Sequence, residues 1–222
     1  MVSTLLLNRA NKKDIIVSVD RLKLKSDSGQ LPMHLLLFQT GYLTMRYQSS
    51  RTVKLELPND EVSDSIINVA MDANNIQIKQ ETITQLDQIP ALIDQDKIRE
   101  ITDIFNTVLT ETISDGSNAF EYENIIRDII YSQLPDRGML KSRETVNAFG
   151  RADMEMTTSK TRLTIEFKRS YKGKSEKRAI EEAAEQIRSH HYGETTLPKK
   201  LIRVAMVIST VKRCISAFRI IE

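Results

Sequence analysis

The chain has 222 residues, 28% charged and 40% hydrophobic, which excludes bulk disorder and leaves room for one large domain or two small ones. No apolar run approaches the ~20 residues of a membrane span, the three leucines at 5–7 are too few for a signal peptide, and the single Cys214 excludes an internal disulfide or a multi-cysteine zinc site. The net charge of +2 hides an asymmetry: residues 137–222 carry 19 Lys/Arg against 10 Asp/Glu, a net of +9, whereas residues 1–136 carry 13 against 20, a net of −7. A soluble, cytoplasmic protein with no membrane association is expected. The basic C-terminal third suggests a polyanion partner, nucleic acid first, although two differently charged surfaces of one protein would give the same arithmetic.

Residues 31–57 read as a short helix or turn followed by a hairpin. The apolar run Leu35-Leu36-Leu37-Phe38 is punctuated by Gly41, and Tyr42-Leu43-Thr44-Met45-Arg46-Tyr47 has strand composition. The returning strand is Thr52-Val53-Lys54-Leu55-Glu56-Leu57, which alternates with period two. Asn59 or Asp60 is placed to cap a helix over 61–71, with Val62, Ile66, Ile67, Val69 and Ala70 on one face.

Residues 82–134 are helical in pattern, interrupted early by Pro90. Ile98, Ile101, Phe105, Val108, Leu109 and Thr112 recur at helical spacing, Ser114-Asp115-Gly116-Ser117-Asn118 makes a loop, and a second helix buries Tyr122, Ile125, Ile126, Ile129, Ile130 and Leu134. After Gly138 the period becomes that of strands. Residues 148–157 and 162–169 form a hairpin turned at Thr158-Ser159-Lys160. A helix over 175–190 carries an Ala179, Ile180, Ala183, Ala184, Ile187 stripe, and strands over 201–209 and 215–221 close the chain. The predicted class is α/β: a mixed central sheet flanked by helices, preceded by a small α+β segment. No internal repeat is present.

Strand alternation places Thr164, Glu166 and Lys168 on one face and Leu163, Ile165 and Phe167 on the other. The preceding strand separates Arg151, Asp153 and Glu155 from Ala152, Met154 and Met156 in the same way. A hairpin brings Asp153 beside Glu166, and two carboxylates from adjacent strands make a hard-oxygen site suited to Mg²⁺ or Mn²⁺. Phosphodiester hydrolysis is the chemistry that uses such a set with a nearby lysine. By itself a Glu-x-Lys triplet is common, and an exposed polar edge explains most of them.

The residues Gly150-Arg151-Ala152-Asp153, Ile165-Glu166-Phe167-Lys168, Gln186-Ile187 and Tyr192, with Glu166 13 residues beyond Asp153 and Gln186 18 beyond Lys168, resemble the PD-(D/E)XK nuclease superfamily. The stretches Leu36-Leu37-Phe38-Gln39-Thr40-Gly41-Tyr42-Leu43-Thr44 and Leu57-Pro58-Asn59-Asp60-Glu61-Val62 resemble the join in a bacterial family that fuses an AAA-ATPase-like domain to such a nuclease. The resemblance implies a restriction-endonuclease-like core and a Mg²⁺-dependent nuclease, with Mn²⁺ as a substitute and DNA rather than RNA as substrate. Asp153 and Glu166 would then be metal ligands, Lys168 would activate or position the attacking water, and Gln186 would hold the site or the phosphate. Glu144 and Glu123 resemble further acidic positions of the metal site. Glu121 competes with Glu123 for that role, and the helical register leaves the choice open.

Only about 30 residues precede Leu31 where the family carries its ATPase part, and Gly173-Lys174-Ser175 lacks the glycine and the strand–loop–helix context of a phosphate-binding loop. No ATP site is expected. The domain reading is 1–72 as a winged-helix-like or ATPase-lid-like remnant and 73–222 as a nuclease-like domain with a helical lead-in. Arg151 is placed to contact phosphate or to pair with Glu155. Arg169, Lys172, Lys174, Lys177 and Arg178 form a basic run suited to a nucleic-acid backbone, or simply a solvated loop. His190 and His191 end a helix, where a cation is favoured by the dipole. The rival to the nuclease is a non-cleaving nucleic-acid-binding or regulatory module that works with an ATPase partner in trans.

Overall fold

The computed structural model describes residues 15–22, 32–59, 61–62, 65–67, 77–147, 150–194 and 199–222. The chain divides into two compact units, Met1–Asn75 and Ile76–Glu222.

In the first unit, β1 (Ile15–Ser18) and α1 (Val19–Leu22) are followed by α2 (Met33–Gln39), β2 (Thr44–Tyr47) and β3 (Thr52–Glu56). The strands form an antiparallel sheet in the order β1-β3-β2, separate from the larger sheet of the second unit. Alternation in β3 sends Val53 and Leu55 inward, where they pack with Val17 and Leu43 as a small core. Gly41, at φ +83°, makes the tight reversal out of α2 that a residue with a Cβ resists. Asn59 accepts the Val62 N–H at 2.9 Å, the capping bond expected at the start of the next helix. Ile66 and Ile67 of that helix are buried; Asp60, Val69 and Ala70 lie outside the described residues.

The second unit opens with α3 (Gln80–Leu86), α4 (Ile89–Asp94) and α5 (Ile98–Thr112). Pro90 sits in the first turn of α4, where its missing N–H is harmless. The expected stripe of α5, from Ile98 to Thr112, is buried in full. After a 3₁₀ turn (Ala119–Glu121) come α6 (Glu123–Gln133), β4 (Leu140–Asn147), β5 (Gly150–Thr157), β6 (Thr161–Ser170), α7 (Glu176–Ser189), β7 (Lys200–Ser209) and β8 (Cys214–Ile221). Ser175 caps α7 by accepting the Arg178 N–H at 3.3 Å.

The sheet order is β4-β5-β6-β7-β8, antiparallel except for the β6–β7 pair, and α7 is the crossover that a parallel pair requires. The mixed sheet with helices on it is the α/β class expected from sequence. Val207, opposite Lys168 in register, packs against Ala179 and Ile180, so α7 covers the face that carries Glu166 and Lys168. Asp128 of α6 lies 3.6 Å from Arg143, the register partner of Met154, so α6 covers the other face. The strand β7 is buried from Val204 to Ser209, as its unbroken apolar run predicts.

Two expectations change. Strand periodicity after Gly138 did not delimit β4, whose sequence Leu-Lys-Ser-Arg-Glu-Thr-Val-Asn is polar because it is an edge strand with an ion-paired face. And Ala152 does not share the face of Met154 and Met156: it packs with Ala183, Ala184, Ile187 and Tyr192 under α7. The β5–β6 ladder stops at the Met154–Ile165 pair, so alternation does not carry through Asp153.

Past α7 the chain turns at Gly193, at φ +76°. A Cβ there would stand 2.6 Å from Leu201 Cδ1 and closer still to the fully buried Thr164 side chain. Left-handed strain and overpacking act together, so Gly193→Ala is expected to cost about 2–4 kcal/mol of unfolding free energy, read as a lowered denaturant midpoint.

Candidate active site

The site forms where β5 and β6 part. Beyond the Met154–Ile165 pair the backbones diverge, and Asp153 fills the gap: its Oδ2 accepts the Phe167 N–H at 2.9 Å. That bond fixes a β5 carboxylate against β6 beside Glu166. The Glu166 side chain is 1% exposed, and its Oε1 accepts from Lys168 Nζ at 2.6 Å. Its Oε2 is buried without any hydrogen-bond partner. The N-terminus of α6 completes the group, with Glu123 Oε1 accepting the Arg169 N–H at 2.6 Å.

The electrostatics follow from burial and crowding. Burial, then the neighbouring Asp153 charge, push the Glu166 carboxyl up to about 8, against the pull of Lys168. Asp153 is also raised, by burial first, although the Phe167 N–H and the Arg127 and Lys168 charges oppose it. Burial would lower Lys168, but Glu166, Glu123 and Asp153 outweigh it and the ammonium is held above its ordinary value. Glu123, and not Glu121, is among the charges that act on Glu166 and Lys168. Glu121 lies on the 3₁₀ turn and pairs with the Arg169 guanidinium at 3.4 Å.

A buried ion cluster stands behind Asp153. Arg127, 4% exposed, directs Nε and Nη2 at Asp128 Oδ1, both at 2.9 Å, and Nη1 at Glu144 Oε1 (3.1 Å) and Asp153 Oδ1 (3.6 Å). Arg143, fully buried, flanks the same Asp128 at 3.6 Å. Glu144 takes a left-handed φ of +53° and is gripped from its other side by Arg151 at 3.1 Å. Arg151 therefore pairs across to β4. The expected partner Glu155 lies four residues along the same strand, about 13 Å away. Glu155 is instead buried, 3.5 Å from the Thr164 hydroxyl. Sequence reasoning missed this cluster; its one signal is Arg127-Asp128 inside the apolar stripe between Ile126 and Ile129.

Gln186 does not touch the carboxylates directly. Its Nε2 donates to the Tyr192 hydroxyl at 3.0 Å, and His190 Nδ1 lies 3.1 Å from the same oxygen. Tyr192 is buried, and its phenol is raised by burial first and then by the Glu166 and Asp153 charges. Gln186 is thus bonded to a tyrosine whose phenol feels both acids' charges. His191 pairs with Glu194 at 3.2 Å.

The basic run is only partly free. Lys174 and Arg178 both pair with Glu182, at 2.5 and 3.1 Å. Arg169 is engaged by Glu121 and stacks over Tyr171 at 5.7 Å. Lys172 and Lys177 are exposed with no ion pair among the described residues.

For a divalent cation, the candidate donors are Asp153 and Glu166. No group of three or more His, Cys, Asp and Glu among the described residues is arranged to hold a metal ion. The two carboxylates nonetheless fit one: the orphaned Glu166 Oε2 is a buried hard oxygen beside a second acid, and such a group calls for a cation or a proton. Among the described residues, no helix is long and apolar enough to cross a membrane.

Residues 121–218, from the 3₁₀ turn before α6 into β8, match the family model of the PD-(D/E)XK nuclease superfamily. No curated protein and no solved structure matches the chain.

Proposed function

We propose, from the premise that residues 121–218 are a PD-(D/E)XK nuclease superfamily core, that the protein is a metal-dependent nuclease hydrolysing phosphodiester bonds in nucleic acid, DNA by the resemblance. The observation that carries this reading is the Glu166 carboxylate. It is buried beside Asp153, with Lys168 on one oxygen and nothing on the other. Asp153 and Glu166 would hold Mg²⁺ or Mn²⁺. What a bound divalent cation supplies is neutralisation of phosphate charge and a more acidic water.

The chain's own groups do the rest. Lys168, whose ammonium the surrounding acids favour, would serve as a hydrogen-bond donor and positive charge to the attacking water or the developing phosphorane oxygen. The Phe167 N–H holds Asp153 in place without spending the Glu166 oxygen. Gln186 braces the site through Tyr192. Lys172 and Lys177, exposed beside the β6 end, are the free cations for the nucleic-acid backbone, with Arg169, Lys174 and Arg178 adding to the local positive field.

The test is incubation of plasmid and labelled oligonucleotides with the purified chain in Mg²⁺ and in chelator. Cleavage is expected in Mg²⁺ and not in chelator, and Asp153→Ala is expected to be inactive, with Mn²⁺ restoring part of the rate. Salt-dependent binding with no cleavage under any divalent cation would make the protein a binding module that works with an ATPase partner instead.

A further inference from the structure

Four carboxylates, Glu123, Glu144, Asp153 and Glu166, crowd the gap between β5 and β6, and the chain has already committed most of their oxygens. Glu123 Oε1 accepts the Arg169 N–H. The two oxygens of Glu144 face Arg127 and Arg151, each at 3.1 Å. Asp153 gives Oδ2 to the Phe167 N–H and turns Oδ1 to Arg127 at 3.6 Å. Only Glu166 Oε2 is both buried and unpartnered.

Arg127 is not free to leave. Its Nε donates to Asp128 Oδ1 at 2.9 Å and its Nη2 lies at the same ion-pair distance, so swinging the guanidinium out would break an ion pair with a carboxylate that is 2% exposed. Glu144 combines a left-handed backbone, at φ +53°, with an arginine on each carboxylate oxygen.

We infer that Arg127 is an internal counter-ion: it occupies Glu144 and the outer oxygen of Asp153, so the site takes a single divalent cation, on the Glu166 side. This rests on the reading of Asp153 and Glu166 as the cation's holders. A second dication bridging Asp153 and Glu144 would have to sit against a guanidinium held 3.1 Å from one and 3.6 Å from the other, positive charge against positive charge. Arg127 is thus a positioning residue, acting on the cation count through the acids it binds.

The experiment is a Mn²⁺ titration at pH 8, following free Mn²⁺ by electron paramagnetic resonance, on wild type, Glu144→Gln, Arg127→Lys, Arg127→Met and Glu166→Gln. One Mn²⁺ per chain is expected for wild type, Glu144→Gln and Arg127→Lys, with Glu144→Gln within about threefold of wild-type affinity because its partly exposed carboxylate is not a ligand. Glu166→Gln should bind at least about tenfold more weakly. Arg127→Met, where circular dichroism shows it folded, should bind two. Two Mn²⁺ on wild type, a loss of about tenfold or more in Glu144→Gln, or one Mn²⁺ on a folded Arg127→Met would overturn the inference. No Mn²⁺ on wild type would instead contradict the metal site itself. Glu144→Gln keeps the test open if Arg127→Met does not fold.

Discussion

Lys168→Ala is expected to slow Mg²⁺-dependent cleavage by roughly 10²–10³-fold while nucleic-acid affinity in Ca²⁺ stays nearly unchanged. The two effects separate because the lysine's surroundings are asymmetric. Its side chain is 19% exposed and its ammonium lies 2.6 Å from the carboxylate of a side chain that is 1% exposed, in a site where Glu123 and Asp153 also hold its proton. A charge fixed at that depth acts on whatever negative charge develops beside Glu166. Losing such a preorganised donor carries the penalty typical of an oxyanion-stabilising group. Its share of backbone binding is one cation among several, so the salt dependence of affinity changes little. Single-turnover cleavage of a labelled duplex gives the first quantity and anisotropy in Ca²⁺ gives the second. A wild-type cleavage rate in Lys168→Ala would contradict the role assigned to this residue.

The second large effect concerns stability and pH. Glu166 sits at about 8 in the folded chain against 4.5 for an ordinary glutamate, because burial and Asp153 disfavour its charge. A folded-state value above the unfolded one means that the folded protein binds the proton more tightly. The corresponding stability is complete below about pH 4.5 and is lost as pH rises through about 8. Asp153, also raised, adds in the same direction. Without metal, the protein is therefore expected to lose on the order of a few kcal/mol between pH 5 and pH 9. Glu166→Gln, which removes the charge and keeps the shape, should flatten that profile and be more stable than wild type at pH 9. Urea midpoints across the pH range measure both. A wild-type profile that rises from pH 5 to 9, or one identical in Glu166→Gln, would show that this carboxylate is ionised without strain.

The elements of the second unit were legible because each carries a one-sided pattern. The α5 stripe from Ile98 to Thr112, the capped α7 and the apolar β7 all declare which side is buried, and the turn at 158–160 sets the β5–β6 hairpin. The Asp153, Glu166 and Lys168 positions followed from that hairpin, and the structure brings them together with Glu123. What the sequence could not show is set by tertiary pairing. Polar β4 carries no one-sided apolar pattern, because Arg143 and Glu144 face ionic partners. Arg127 carries no role in the sequence pattern; Asp128, Glu144 and Asp153 converge on it only in the fold. The partner of Arg151 lies on the neighbouring strand, so spacing along one strand could not reveal it. Gln186 is reached through Tyr192, six residues on, by a hydrogen bond that no periodicity encodes.

The central claim is that Asp153 and Glu166 jointly hold a divalent cation, and proton release on Mg²⁺ binding tests it most directly. Calorimetric titrations in buffers of different ionisation enthalpy count the protons. Because Glu166 is largely protonated below about pH 8 and must ionise to ligate, wild type should release nearly one proton per Mg²⁺ at pH 6.5 and far less at pH 9. Glu166→Gln should release far less than wild type at pH 6.5 and bind at least about tenfold more weakly. Mg²⁺ binding to wild type with no proton release at pH 6.5, or equally tight binding by Glu166→Gln, would contradict the account.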